Sequence, residues 1–225
     1  MLNFGCKFFC GALLVCFAAI KSFAATPKNC ITDSELQKKR SEEIHQIYVS
    51  DQKDREDFDK MTDKQRMELN ERDNKRRMRI SEIFAEGCVK TASDYHDSAM
   101  VFQHGEVPDH YFQAFYFANK SDQLKYKGAK WLKAAAVDRY LVSIGHKQLF
   151  GTQFFSSQKT QNCFCLQSVE SSFPKDIRLE ATGKSIDEML EMLEEFNKSN
   201  KRNCPKDFCP IALKPSPKRI VPGFW

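Results

Sequence analysis

The stretch from Ala134 to Ile144 reads as a buried helix interrupted by two adjacent charges, Asp138 and Arg139. At helical spacing Asp138 shares a face with Trp131, Ala134, Ala135, Leu141 and Val142. Arg139 shares one with Ala135, Ala136 and Val142. Neighbouring residues on a helix do not face each other, and an unpaired buried charge costs several kcal/mol. Each charge therefore needs its own partner. In one reading Arg139 holds an anionic group with its planar fork of donors, and Asp138 orients a catalytic base or is a second carboxylate. In the other both are tethers, Asp138 capping a neighbouring helix and Arg139 bonded to loop carbonyls.

More polar groups flank this helix. Gln103-His104-Gly105 closes an amphipathic segment. There the helix dipole favours a charged imidazole, so His104 is a candidate general acid or base and equally a candidate helix cap. Downstream come Gln148, Gly151, Thr152 and Gln153. The glutamines offer both donors and acceptors, and Gly151 permits close backbone approach or a positive φ. On a strand Gly151 and Gln153 point to one face; turn chemistry explains the same residues without a ligand. His104, Asp138 and Arg139 are the catalytic candidates, and Gln103, Gln148, Gly151, Thr152 and Gln153 the ligand-binding ones. His96, His104 and His110 fit no zinc spacing. No nucleophile elbow, phosphate loop or dinucleotide fingerprint is present, so neither metal nor cofactor is expected.

Positioning these groups falls to a mainly helical chain. Capping boxes at Thr32-Asp33-Ser34-Glu35, Thr62-Asp63-Lys64-Gln65 and Ser185-Ile186-Asp187-Glu188 open helices. The pattern predicts helices over 33–48, 51–60, 63–86, 94–104 with Asp94 as cap, 108–119 from Pro108, 130–144, and a last one from Ser185. Residues 26–86 carry only a narrow apolar stripe, so their helices belong on the outside of the domain, with Arg55 and Arg76 exposed. Gln148–Phe155 and Asn162–Val169 look extended, which predicts a small β-hairpin near residues 147–169. Five of the eight prolines lie beyond residue 200, giving an extended tail.

The N-terminus reads as a secretory signal. Lys7 precedes the apolar run Phe8–Ile20, and Ser22-Phe23-Ala24 offers a small-x-small cleavage site. That run is about 13 residues, short of the roughly 20 a spanning helix needs. The expected organisation is a signal peptide over 1–24, a helical domain over 25–200 and a Pro- and Cys-containing tail over 201–225. No stable membrane insertion is expected after cleavage. Of nine cysteines, Cys30, Cys88, Cys163, Cys165, Cys204 and Cys209 remain in the mature chain. An even set in an exported chain reads as disulfides, and a zinc site at Cys163, Cys165, Cys204 and Cys209 is the alternative. Six cysteines allow about 15 connectivities. The net charge of +5 is mild and well mixed along the chain, which argues against nucleic acid as a partner.

Taken in order, several pieces resemble one family. They are Asp51-Gln52-Lys53-Asp54-Arg55, Asp73-Asn74 followed by Arg76 and Arg77 ahead of Gly87, and Gln103-His104. Then come Asp138-Arg139, Gly145, Gln148, Gly151-Thr152-Gln153, and Arg178 with Gly183. Across about residues 50–196 the chain resembles an uncharacterised bacterial family catalogued as domain of unknown function 6624. It departs from that family at Phe150, where the family tends to have tyrosine, and at Cys88, where it often has Trp-Pro. The resemblance implies a mainly helical fold and a shared polar site, to which it adds Arg178. It implies no established reaction.

Three functions compete. The chain is a hydrolase or transferase with a His/Asp/Arg/Gln pocket for a small or anionic substrate. Or it is a non-catalytic ligand- or protein-binding module of the periplasm or cell exterior. Or the polar set is a buried network that fixes the fold.

Overall fold

Residues 29–156, 162–205 and 208–216 are described in the computed structural model. The expected signal peptide over 1–24, the link at 157–161 and the end of the tail from 217 lie outside the described residues. The fold is mainly α. Its helices are α1 (Ser34–Lys53), α2 (Asp63–Ala85), α3 (Ala92–Gln103), α4 (Pro108–Gln123), α5 (Ala129–Ser143), α6 (Lys175–Thr182) and α7 (Ile186–Ser199). Four two-residue strands accompany them: β1 (Phe154–Phe155), β2 (Cys165–Leu166), β3 (Val169–Glu170) and β4 (Leu213–Lys214). β1 and β2 pair antiparallel, as the expected hairpin requires, and β3 pairs parallel with β4 from the tail.

Local chemistry explains most helix ends. Thr62 and Ser185 form the expected capping boxes with Gln65 and Glu188. At α1 the cap is Asp33 rather than Thr32: its carboxylate accepts from the Leu36 N–H at 2.8 Å. A carboxylate outcompetes a hydroxyl at the positive end of a helix. At α3 the cap is Thr91, and Asp94 sits at the third helical position, returning a bond to the Thr91 N–H. The expected break between Tyr48 and Asp51 is absent. No glycine or proline interrupts the ladder there, so α1 runs on to Lys53 and a short 3-10 turn follows at Phe58–Lys60. The expected strand over Gln148–Phe155 shrinks to β1, because Gly151 takes φ +84° and turns the chain.

The main core lies among α1–α5. Ile44, Ile80, Ile83, Phe102, Phe117 and Leu132 are buried there. Small residues let α3, α4 and α5 approach closely: Ser98 and Ala99, Ala114 and Ala118, and Ala134 to Ala136 are all buried. A second cluster, Leu166, Val169, Ile186, Leu193 and Ala212, joins α7 to the strands. The buried faces of α1 and α2 are mixed. They carry Ile44, Leu69, Ile80 and Ile83, but also Asp51, Asp73 and Arg77.

All six cysteines among the described residues are bridged, so the zinc alternative has no thiolate left. Cys30–Cys88 joins the start of α1 to the end of α2. Cys163–Cys204 and Cys165–Cys209 strap the tail to β2. Among the described residues no helix is long and apolar enough to cross a membrane.

A buried ion pair also holds the tail. Lys147 Nζ lies 2.7 Å from Glu170 and donates to the Pro215 carbonyl at 2.9 Å. Burial raises the Glu170 pKa, but the Lys147 ammonium and the Ser172 donors more than offset that and hold the carboxyl at about 2. A depressed carboxyl contributes stability that is full above its unfolded value and is lost as pH falls toward the folded one. We expect Glu170→Gln to lower stability at pH 7 by about 3 kcal/mol. Urea denaturation across pH should show the wild type losing that advantage between pH ~4.5 and ~2.

Candidate functional site

A helix end leaves its last carbonyls without intrahelical partners. At the end of α3 three consecutive carbonyls are each met by a side chain from a different helix. Arg139 of α5 donates Nη1 to the Gln103 carbonyl at 2.7 Å. Arg77 of α2 donates Nη1 to the His104 carbonyl at 3.2 Å. Tyr111 of α4 donates its hydroxyl to the Gly105 carbonyl at 2.8 Å. Two of the three donors are cations at the negative pole of the helix, where positive charge is favoured. Arg139 also donates Nε to Gln153 Oε1 at 2.9 Å.

The imidazole of His104 is fixed separately. Its Nδ1 lies 2.8 Å from Oδ2 of Asp51, a fully buried residue of α1. A carboxylate only accepts, so Nδ1 carries the proton and Nε2 presents its lone pair. The His104 side chain is 19% exposed. Burial pushes its pKa below the usual 6.5; the charges of Arg55 and Arg139 add to that, and Asp51 opposes it. The imidazole is therefore neutral at pH 7.

Asp51 is the end of a chain of ion pairs. Gln52 Nε2 donates to its Oδ2 at 2.8 Å, and Arg55 Nη1 to its Oδ1 at 2.9 Å. Arg55 reaches on to Asp73 with Nη2 at 2.5 Å. Asp73 accepts from Arg76 at 2.7 Å, and Arg76 and Arg72 converge on Asp54. Arg55 and Arg76, expected to be exposed, are only 19% and 10% exposed at the side chain. They turn inward because Asp51 and Asp73 are buried and need cations.

Asp138 does something else. It is fully buried, and its Oδ1 accepts from the N–H groups of Leu149 and Phe150 at 2.8 and 2.9 Å. Its Oδ2 accepts from the Thr152 N–H at 3.0 Å and the Thr152 hydroxyl at 2.8 Å. Burial raises its pKa, and these four donors work against that rise. Gln148, also fully buried, locks the same loop. Its amide donates to the Gln153 and Gln167 carbonyls, and its Oε1 accepts from the Gln153 N–H, at 2.8–2.9 Å. Arg178 closes the loop from behind, donating to the Leu149 and Glu170 carbonyls at 2.8 and 3.1 Å.

The sequence candidates thus divide. His104, Arg139, Gln103 and Gln153 meet at the end of α3. Asp138, Gln148, Gly151, Thr152 and Arg178 build the loop that presents Gln153. The carboxylate partner of His104 is Asp51, not Asp138. An orienting acid has to lie within reach of the ring nitrogen, and Asp138 is already committed to four loop donors. Asp51, Arg55, Asp73, Arg77 and Tyr111 join the site although spacing alone did not propose them. For Asp51, Arg55, Asp73 and Arg77 the one sequence signal was the run of acidic and basic residues that also carries the family resemblance; Tyr111 had none. A cavity of about 530 Å³ lies between α7 and the tail, lined by Phe164, Leu193, Phe208 and Leu213 among others. Its walls include none of the His104 cluster. Among the described residues no group of three or more His, Cys, Asp or Glu side chains is placed to hold a metal ion.

No family model, no curated protein and no solved structure matches this chain.

Replacing Asp138 by alanine leaves three loop N–H groups without an acceptor. We expect Asp138→Ala to cost about 3–5 kcal/mol in chemical denaturation, the range for breaking a buried charged contact. Asp138→Asn, which retains one acceptor oxygen, should cost less.

Proposed function

We propose that this chain is an exported enzyme of the hydrolase or transferase class, with His104 as general base or acid toward a small anionic substrate. The observation that carries the reading is the Asp51–His104 pair: a fully buried carboxylate 2.8 Å from the Nδ1 of a partly exposed imidazole. Asp51 sets the tautomer and steadies the cation that forms when Nε2 takes a proton. Arg139 bonds only neutral acceptors, the Gln103 carbonyl and Gln153 Oε1. Among the described residues no carboxylate lies at ion-pair distance from it, so its charge is available to an anionic group or to negative charge that develops during reaction. Gln153 holds the guanidinium in place, and the Asp138 loop holds Gln153.

Export is part of the same proposal. The expected signal peptide and the three disulfides support folding in an oxidising compartment, periplasmic or extracellular. The motif order that resembles domain of unknown function 6624 also supports a single site, since Asp51, Arg55, Asp73, Arg77, His104 and Arg139 are contiguous in the fold.

A non-catalytic binding module would use the same cations and show saturation without turnover. The inward pairing of Arg55 and Arg76 counts against a version in which those arginines meet a protein partner. The test is turnover across a panel of phosphate-, carboxylate- and sulfate-bearing esters and amides. His104→Ala should lower kcat/KM by about 10²–10⁴-fold and leave the thermal midpoint nearly unchanged. As a base, His104 loses activity when pH falls through its lowered pKa. Asp51 raises that pKa, so Asp51→Asn should move the acid limb to lower pH as well as reduce kcat. Turnover indifferent to His104→Ala would overturn the catalytic reading.

A further inference from the structure

Arg77 stands apart from Arg72, Arg76 and Arg79, its neighbours along α2. Arg72, Arg76 and Arg79 each have a carboxylate oxygen within 2.8 Å. Arg77 is only 3% exposed, yet its nearest carboxylate, Glu106, lies 3.6 Å away. Its Nη1 is used on the His104 carbonyl. Its Nε and Nη2 are buried, and among the described residues no atom accepts a hydrogen bond from them. These two nitrogens form the edge of a guanidinium that grips carboxylate or phosphate with two parallel bonds. A buried charged donor left without an acceptor is expensive, so this edge is built for an acceptor that the described residues do not supply.

Glu106 is the group in front of that edge. It sits on the link between α3 and α4, its side chain half-exposed. Its backbone N–H is anchored to His110 Nδ1 at 3.1 Å, whereas its carboxylate approaches Arg77 without reaching bonding distance. Glu106 covers the edge without satisfying it.

We propose that the Nε–Nη2 edge of Arg77 is an oxyanion subsite for a carboxylate or phosphate group of the ligand, and that Glu106 is a movable carboxylate which covers it in the ligand-free form and swings out when the anion enters. The proposal rests on the reading of the His104 cluster as a site for an anionic substrate, and it gives that substrate a second point of attachment. Arg77 holds the His104 carbonyl with its third nitrogen, so the anion and the imidazole are set by one side chain.

Glu106→Gln removes the competing charge at an exposed position and keeps the shape. Its affinity for inorganic phosphate and for acetate, by calorimetry on the full mature chain, should exceed wild type by at least about tenfold. Asp109→Asn removes the same charge from the exposed first turn of α4 and should change affinity less than twofold. The ratio of phosphate to acetate affinity identifies which oxyanion fits. Arg77→Lys in the Glu106→Gln background, checked for native helical content, keeps the charge but loses the paired donors and should abolish the gain. Equal gains in Glu106→Gln and Asp109→Asn would mark a general field effect and overturn the proposal, and so would no gain in either. Those results leave the effect of His104→Ala on turnover intact, so failure of the subsite and failure of the catalytic reading are separable.

Discussion

The end of α3 is the point on which the rest of the arrangement depends. A helix that stops inside a protein must find donors for its last carbonyls. Here Arg139, Arg77 and Tyr111 supply them from α5, α2 and α4. One local requirement thus draws three helices to a common point. It also concentrates positive charge there, and it holds the backbone of His104 while Asp51 holds its ring from α1. A residue fixed at both backbone and side chain by different elements has little freedom left. Catalytic geometry needs that preorganisation.

The ion pairs running from Asp54 to Asp51 belong to the same design. Buried ion pairs contribute little net stability against well-packed apolar groups of the same size. Their effect here is on register: α1 can slide against α2 only by breaking Arg55 from Asp73 and Arg76 from Asp54. That keeps Asp51 opposite His104. It also accounts for the weak amphipathic pattern of both helices, whose inward faces carry charges where a simple bundle has leucine.

Much of the fold was legible because its signals are local. The capping boxes at Thr62 and Ser185, Pro108 at a helix start and glycines beyond helix ends are chemical statements about a few neighbouring residues. α6 went unread because its eight residues bury only an arginine, Arg178, which carries no periodicity. The parallel pairing of β3 with β4 was out of reach because it joins residues more than forty apart. At the site, Arg139 and His104 were visible as charges at conspicuous positions. The role of Asp138 was not, since one buried carboxylate looks the same in sequence whether it faces an imidazole or a ring of loop amides. Asp51 was hidden in a charged segment, where nothing local tells a buried aspartate from a solvated one.

The bridges divide the chain in time as well as in space. Cys30–Cys88 closes the first helical hairpin, and both remaining bridges lie within the last third of the chain. None crosses from one group to the other. For a polypeptide that emerges N-terminus first, Cys88 is, among the cysteines of the described residues, the only one available to Cys30 until Cys163 appears, so the order of emergence favours that pairing. The α1–α2 hairpin, with Asp51 and Arg77 already in place, can be oxidised and set before its partner helices arrive. The bridges at Cys163 and Cys165 must wait for almost the whole chain.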